Sequence, residues 1–240
     1  MKNIVSLLFF TLFAVAASAQ NTVVNDKNAE VRNVPGFHGV KISGGIDLYI
    51  TQGTTEGVAI SVNDSKYRNN IKTEVEDGIL KIYYDAGMGI HINWGGARNM
   101  KAYVTIKDIS ELQASGGSDV YVEGSLQATA LNLHLTGGSD FHGQVNTGIF
   151  TVKQSGGSDV KVSGKAGNIT VDANGGSDFI GYDLVSDNCD IDASGGSDVY
   201  ITVNKQMNVK ASGGSDISYK GDCVIKNYHA SGSSDVHRKG

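Results

Sequence analysis

Ser115-Gly116-Gly117-Ser118-Asp119-Val120 is a phrase that returns down the chain with few changes. Its copies run from Thr136 to Asp140, Ser155 to Asp159, Asn174 to Asp178, Ser194 to Asp198 and Ser212 to Asp216, and the series closes with the degenerate Ser231-Gly232-Ser233-Ser234-Asp235. Successive Asp residues stand 18 to 21 positions apart. A unit of about 20 residues cannot bury an apolar face alone, so regular spacing implies neighbours stacked into one continuous core.

Aligned on their Asp, the copies place Val120, Phe141, Val160, Phe179, Val199, Ile217 and Val236 directly after it. Leu112, Leu133, Val152, Val171, Ile191, Val209 and Tyr228 stand seven before it, and the position five before is mostly Ala. Polar residues alternate with these, as in Thr170-Val171-Asp172 and Asn208-Val209-Lys210. Such alternation marks a strand with one buried face. Each coil is therefore predicted to hold a strand before the Gly pair, a second after Ser-Asp, and a third corner near a glycine such as Gly124, Gly143, Gly164, Gly181 or Gly221. Equivalent strands pair in parallel, and seven coils at about 4.8 Å make a prism roughly 34 Å long. The predicted fold is all-β, a right-handed parallel β-helix-like solenoid with coils of about 19 residues.

Upstream, Phe37 to Ser115 alternates in a similar way, and Ser43-Gly44-Gly45-Ile46-Asp47 reads as an eighth, variant corner. Glu76-Asp77-Gly78 reads as a hairpin turn or tight corner. Asp64 to Asn70 reads as one helical turn or a loop, and Gly87 to Gly96, holding the single Trp94, as a protruding loop. The ending His237-Arg238-Lys239-Gly240 reads as a charged cap against edge-to-edge growth.

Met1 to Ala19 has the layout of a secretory signal: Lys2, an apolar run and the small-residue ending Ala17-Ser18-Ala19. No later stretch approaches the roughly 20 apolar residues of a membrane helix. The expectation is a soluble exported protein, in the periplasm, on the outer-membrane surface or outside the cell. Its parts are a signal peptide at 1–19, an extension at 20–35, irregular β coils at 36–114 and the regular solenoid with its cap at 115–240. A net charge of −5 with scattered Lys and Arg gives no basic stripe, which excludes nucleic acid as a partner. Glycine at 32 of 240 residues with one proline favours short strands and tight turns. The two cysteines fall in different inward columns two coils apart, roughly 9 to 10 Å at strand spacing, which favours buried free thiols over a bridge.

Phe37-His38-Gly39-Val40, the run from Ser43-Gly44-Gly45 to Gln52-Gly53, and Ile71 to Gly78 together resemble the GIN-type head domain of auto-transporter adhesins, an exported domain of unknown function. The resemblance covers residue 36 to the end of the repeats. It implies a parallel β-helix-like fold, a cell-envelope setting and a role in adhesion, and it brings no catalytic residues with it. No long C-terminal extension suited to a membrane barrel is expected after the repeats.

Several surface groups carry possible chemistry. Asp119, Asp140, Asp159, Asp178, Asp198 and Asp216 should stack as a carboxylate ladder, with neighbours about 5 Å apart repelling by about 1 kcal/mol in water. Turn hydrogen bonds from Ser hydroxyls and corner N–H groups offset that repulsion in one reading, and bound Ca²⁺ in another. Asp172 and Asp192 share an outward column, as a glycosidase pair would, but Lys153 and Lys210 flank them as a charge-compensated ladder would require. His134 and His229 share a column five coils apart, as do His142 and His237, too far for a common metal. Tyr121 and Tyr200 sit two after their Asp on the outward face, and with Trp94 they are the candidate contact residues for a sugar or protein. The sequence thus points to a non-enzymatic envelope or surface protein, without cofactor, that presents a polar solenoid face to glycan or protein. A polysaccharide-processing enzyme and a Ca²⁺-stabilised structural module are the alternatives.

Overall fold

The computed structural model describes residues 26–87 and 99–240. The leader-like segment and Trp94 lie outside the described residues. The chain winds as a β-solenoid of about seven turns with a spacing near 19 residues. Each regular coil is one long bent strand: Val120–Thr136, Phe141–Ser155, Val160–Gly175, Phe179–Gly195 and Val199–Ala211. These pair in parallel, with Val120, Phe141, Val160, Phe179 and Val199 in one register column. Leu133, Val152, Val171, Ile191 and Val209 form a second. Both columns are buried. Burying one such side chain contributes about 1.5–3 kcal/mol, so the interior of stacked columns is the main term holding the coils together.

The corners explain the repeated phrase. Gly116, Gly137 and Gly156 all have positive φ, and a Cβ on Gly137 or Gly156 would lie 3.2 Å from the backbone nitrogen of the glycine one coil earlier. Only glycine meets both demands. The Ser that follows turns inward and is wholly buried in all six full copies. Early in the array its hydroxyl accepts the backbone N–H one coil earlier, as Ser139 does from Ser118 at 3.1 Å. Later it donates to its own corner, as Ser197 does to the Ser194 carbonyl at 2.7 Å. A buried corner backbone needs these partners.

The variant corner at Ser43 to Asp47 falls in register, with Ser43 opposite Ser115 and Leu48 opposite Val120. Ile46 holds the Ser position and donates its N–H to Ser118 Oγ at 3.0 Å. Above it the end is closed by antiparallel strands: Ile71–Glu76 pairs with Ile79–Tyr84, and Glu30–Arg32 with Gly57–Ser61. Asp77 and Gly78 both take positive φ, which makes their turn a hairpin. Residues Ser65–Asn70 form a short 3₁₀ helix capped by Asp64.

Three expectations are corrected. Gly143 and Gly181 are not corner glycines, since neither has positive φ. A Cβ on Gly181 would meet Phe179 at 2.4 Å, and one on Gly143 would meet Val122 at 2.5 Å and Phe141 at 2.9 Å. They leave room for the two coils that begin with Phe rather than Val. Tyr228, placed inward by its column, is 58% exposed because no further coil covers it. Cys223 is half-buried for the same reason, while Cys189 is buried between Ile169 and Met207 in register; both thiols are free.

Candidate functional site

The corner sets the Asp ladder. Each Asp up to Asp198 points outward and its Oδ1 accepts the backbone N–H of the Asp one coil along, at 3.1 Å for Asp119 to Asp140 and 3.0 Å for Asp140 to Asp159, whereas the Asp235 N–H turns to the Ser215 carbonyl. The ladder continues to Asp178, Asp198 and Asp216 at 3.1, 3.4 and 3.4 Å, and begins at Asp47. The donor is therefore the next coil's backbone, and the Ser hydroxyl is not a partner because it faces the interior. A hydrogen bond to the charged form offsets part of the repulsion along the ladder. Burial nevertheless pushes the Asp178 carboxyl up, with the charges of Asp159 and Asp198 adding to it, and burial does the same at Asp47. Among the described residues no group of three or more His, Cys, Asp or Glu is placed to hold a metal ion.

Two residues on, strand alternation brings side chains to the same outward face. The register runs Tyr103, Tyr49, Tyr121, His142, Lys161, Ile180, Tyr200, Ser218 and His237. Strand spacing stacks the first four rings. Tyr49 lies 5.4 Å from Tyr103 and 5.2 Å from Tyr121, and Tyr121 lies 5.3 Å from His142 with ring planes 9° apart. Both faces of Tyr121 are thereby covered, and the stack of rings ends at His142, with Lys161 next in the register. Tyr121 donates to Asp119 and Tyr200 to Asp198, at 3.4 and 3.2 Å. Burial, then the neighbouring Asp, pushes both phenols up, and burial with a hydrogen bond to Asp26 takes Tyr103 to about 12. These hydroxyls are donors throughout the neutral range.

Beyond His142 the face sinks into a shallow concavity of about 590 Å³, lined by Tyr121, His142, Lys161, Ile180, Tyr182 and Asp183 among others. Ile180 is 39% exposed. Tyr182 tilts against Tyr200 at 5.5 Å, donates its hydroxyl to Ser218 at 2.7 Å, and carries the ammonium groups of Lys220 and Lys239 at 4.6 and 5.1 Å from its ring centre. Of the sequence candidates, then, Tyr121 and Tyr200 lie on one face on either side of this concavity. Tyr49 and His142 were open to the same indexing, being two after Asp47 and Asp140. Tyr182 was not, because it sits where the pairing of Val160–Gly175 with Phe179–Gly195 and then Val199–Ala211 shifts register.

Asp172 and Asp192 lie opposite each other on the other flat face. Asp192 takes the Lys210 ammonium at 2.7 Å and Asp172 accepts from Asn174 at 2.5 Å. Their carboxylates are engaged as rungs of a charge-compensated ladder.

The family model described as "Putative auto-transporter adhesin, head GIN domain" matches residues 36–223. No curated protein matches the chain. Among solved structures, a "putative adhesin" of Bacteroides fragilis is similar with a TM-score of 0.79 at 20% identity, over 89% of this chain and 98% of that one. A "putative adhesin" of Parabacteroides merdae gives 0.63 at 17% identity, over 88% and 95%. A "putative lipid binding protein" of Parabacteroides distasonis gives 0.63 at 15%, over 88% and 98%. At these identities the likeness is one of fold.

Proposed function

Since the chain belongs to the family of auto-transporter adhesin head GIN domains, we propose that it is a non-enzymatic, exported adhesin whose second flat face, the one carrying the stacked rings, holds a glycan. The observation that carries this reading is the half-exposed aromatic column that ends on His142 at the edge of the concavity, with Ile180 and Tyr182 across it and Tyr200 against Tyr182. A rigid sheet fixes these groups before any ligand arrives, so little ordering cost attends binding. Sugars present apolar C–H faces and hydroxyl rims, and an aromatic surface bordered by Lys, Ser and Asp offers partners for both. The leader-like layout of Met1 to Ala19 and the adhesin family support the reading of export.

The test is binding of the full mature chain to a glycan array. His142→Ala and Tyr182→Ala are expected to weaken binding about tenfold each, as loss of an aromatic contact does. Asp172→Asn and Asp192→Asn are expected to leave it unchanged. Depolymerisation of a bound polysaccharide that disappears in Asp172→Asn would overturn the reading in favour of an enzyme.

A further inference from the structure

Lys220 ends the strand Asp216–Lys220 and Lys239 directly follows the neighbouring strand Asp235–Arg238, each four residues after its Asp, and both lean onto the Tyr182 ring. Like charges on adjacent strands repel. Of the acids around them, Asp222 pairs with Arg238, Asp235 touches the His237 ring at 3.4 Å and Asp183 lines the concavity beside Tyr182. Among the described residues no carboxylate lies within ion-pair distance of Lys220, Lys239 or the Lys161 of the concavity. Four residues along a strand is about 13 Å, so the Asp ladder lies more than a Debye length of about 8 Å away at physiological salt. In a chain of net charge −5 this leaves a local cationic corner beside an aromatic wall.

We propose that the ligand is an acidic glycan. A carboxylate or sulfate group sits between the Lys220 and Lys239 ammonium groups on Tyr182, and the adjoining sugar ring lies in the concavity between His142 and Ile180, over Lys161. The anion completes a pair of cations that the fold holds together without a counter-charge, through the charge-assisted contacts that ammonium groups make best. The proposal rests on the glycan reading of this face and adds the chemical class.

The experiment measures binding of the full mature chain to immobilised heparin, polygalacturonate and neutral dextran, with single-stranded DNA as a further polyanion. Heparin reports a sulfate and polygalacturonate a carboxylate; binding of at least one, well above dextran and DNA, is expected. The double variant Lys220→Gln, Lys239→Gln is expected to lose about tenfold or more in affinity. Lys41→Gln on the opposite face is expected to lose none. Unchanged affinity in the double variant, or DNA binding as tight as either acidic glycan, would overturn the proposal. Binding confined to neutral glycans and lost in His142→Ala would also overturn it while leaving the adhesin reading intact, whereas no binding to any glycan would remove both.

Discussion

At the scale of single residues, the interior is fitted coil by coil, and Phe141 with Gly143 shows how. Val122 and Val162 occupy in neighbouring coils the place Gly143 leaves empty, and the Phe141 ring fills that space. Gly143→Val alone is expected to cost about 1–3 kcal/mol through overpacking. Phe141→Val alone should cost about 2 kcal/mol or more through the cavity it leaves. The double variant recreates the Val-x-Val pattern of coils such as Val120-Tyr121-Val122 and should return to within about 1 kcal/mol of wild type in urea denaturation. Additive losses would contradict the pairing. Gln154 is the opposite case. It stands in a buried column between Leu135 and Ala173, with neither amide atom hydrogen-bonded. An unsatisfied buried polar group costs about 1–3 kcal/mol, so Gln154→Leu should raise stability by a comparable amount. A lower denaturation midpoint would show that the amide has a partner after all.

At the scale of the element, the corner does two jobs with one phrase: Ser closes the inside and Asp links the outside. The inward columns and the outward ladder were legible because strand alternation is strict and glycine marks each corner. The direction of the Asp hydrogen bond was not, because it runs between coils and a sequence shows only what lies within one. Asp178 offers a test of the ladder's electrostatics. Its carboxyl is raised by burial first and by Asp159 and Asp198 after that, so the folded state holds the proton more tightly than the unfolded one. Ionisation therefore subtracts stability as pH climbs from the unfolded carboxyl range near 3.8 through the folded value, and stability is recovered on acidification. Asp178→Asn keeps an oxygen for the Asp198 N–H and removes the charge. Its melting temperature should exceed that of wild type at pH 7, with the gap closing toward pH 3. A gap that does not change with pH would contradict this account.

At the scale of the whole molecule, a stack of near-identical coils should behave as a sum of coils and interfaces. Deleting Phe141 to Asp159 joins Asp140 to Val160 and removes the Phe141–Gly143 pair together, so every column closes up by one rung. This variant should fold cooperatively with a strand circular-dichroism spectrum and a lower melting temperature; an unfolded spectrum would refute the additive picture. The asymmetric ends were only partly legible. The antiparallel strands that close the N-terminal end depart from the repeat, and the last coil, exposed at Val224 and Tyr228, follows the pattern without a neighbour to bury it. The placing of Tyr121 and Tyr200 on one ringed face was legible, and that of Tyr182 was lost where the register shift breaks the indexing. What joins all three scales is that one face gathers the rings, the concavity and the unpaired lysines. A crystal structure of the mature chain with a bound acidic oligosaccharide tests this most directly. The sugar is expected between His142 and Tyr182, its anionic group within hydrogen-bond reach of Lys220 and Lys239; density instead on the Asp172 and Asp192 face would contradict the account.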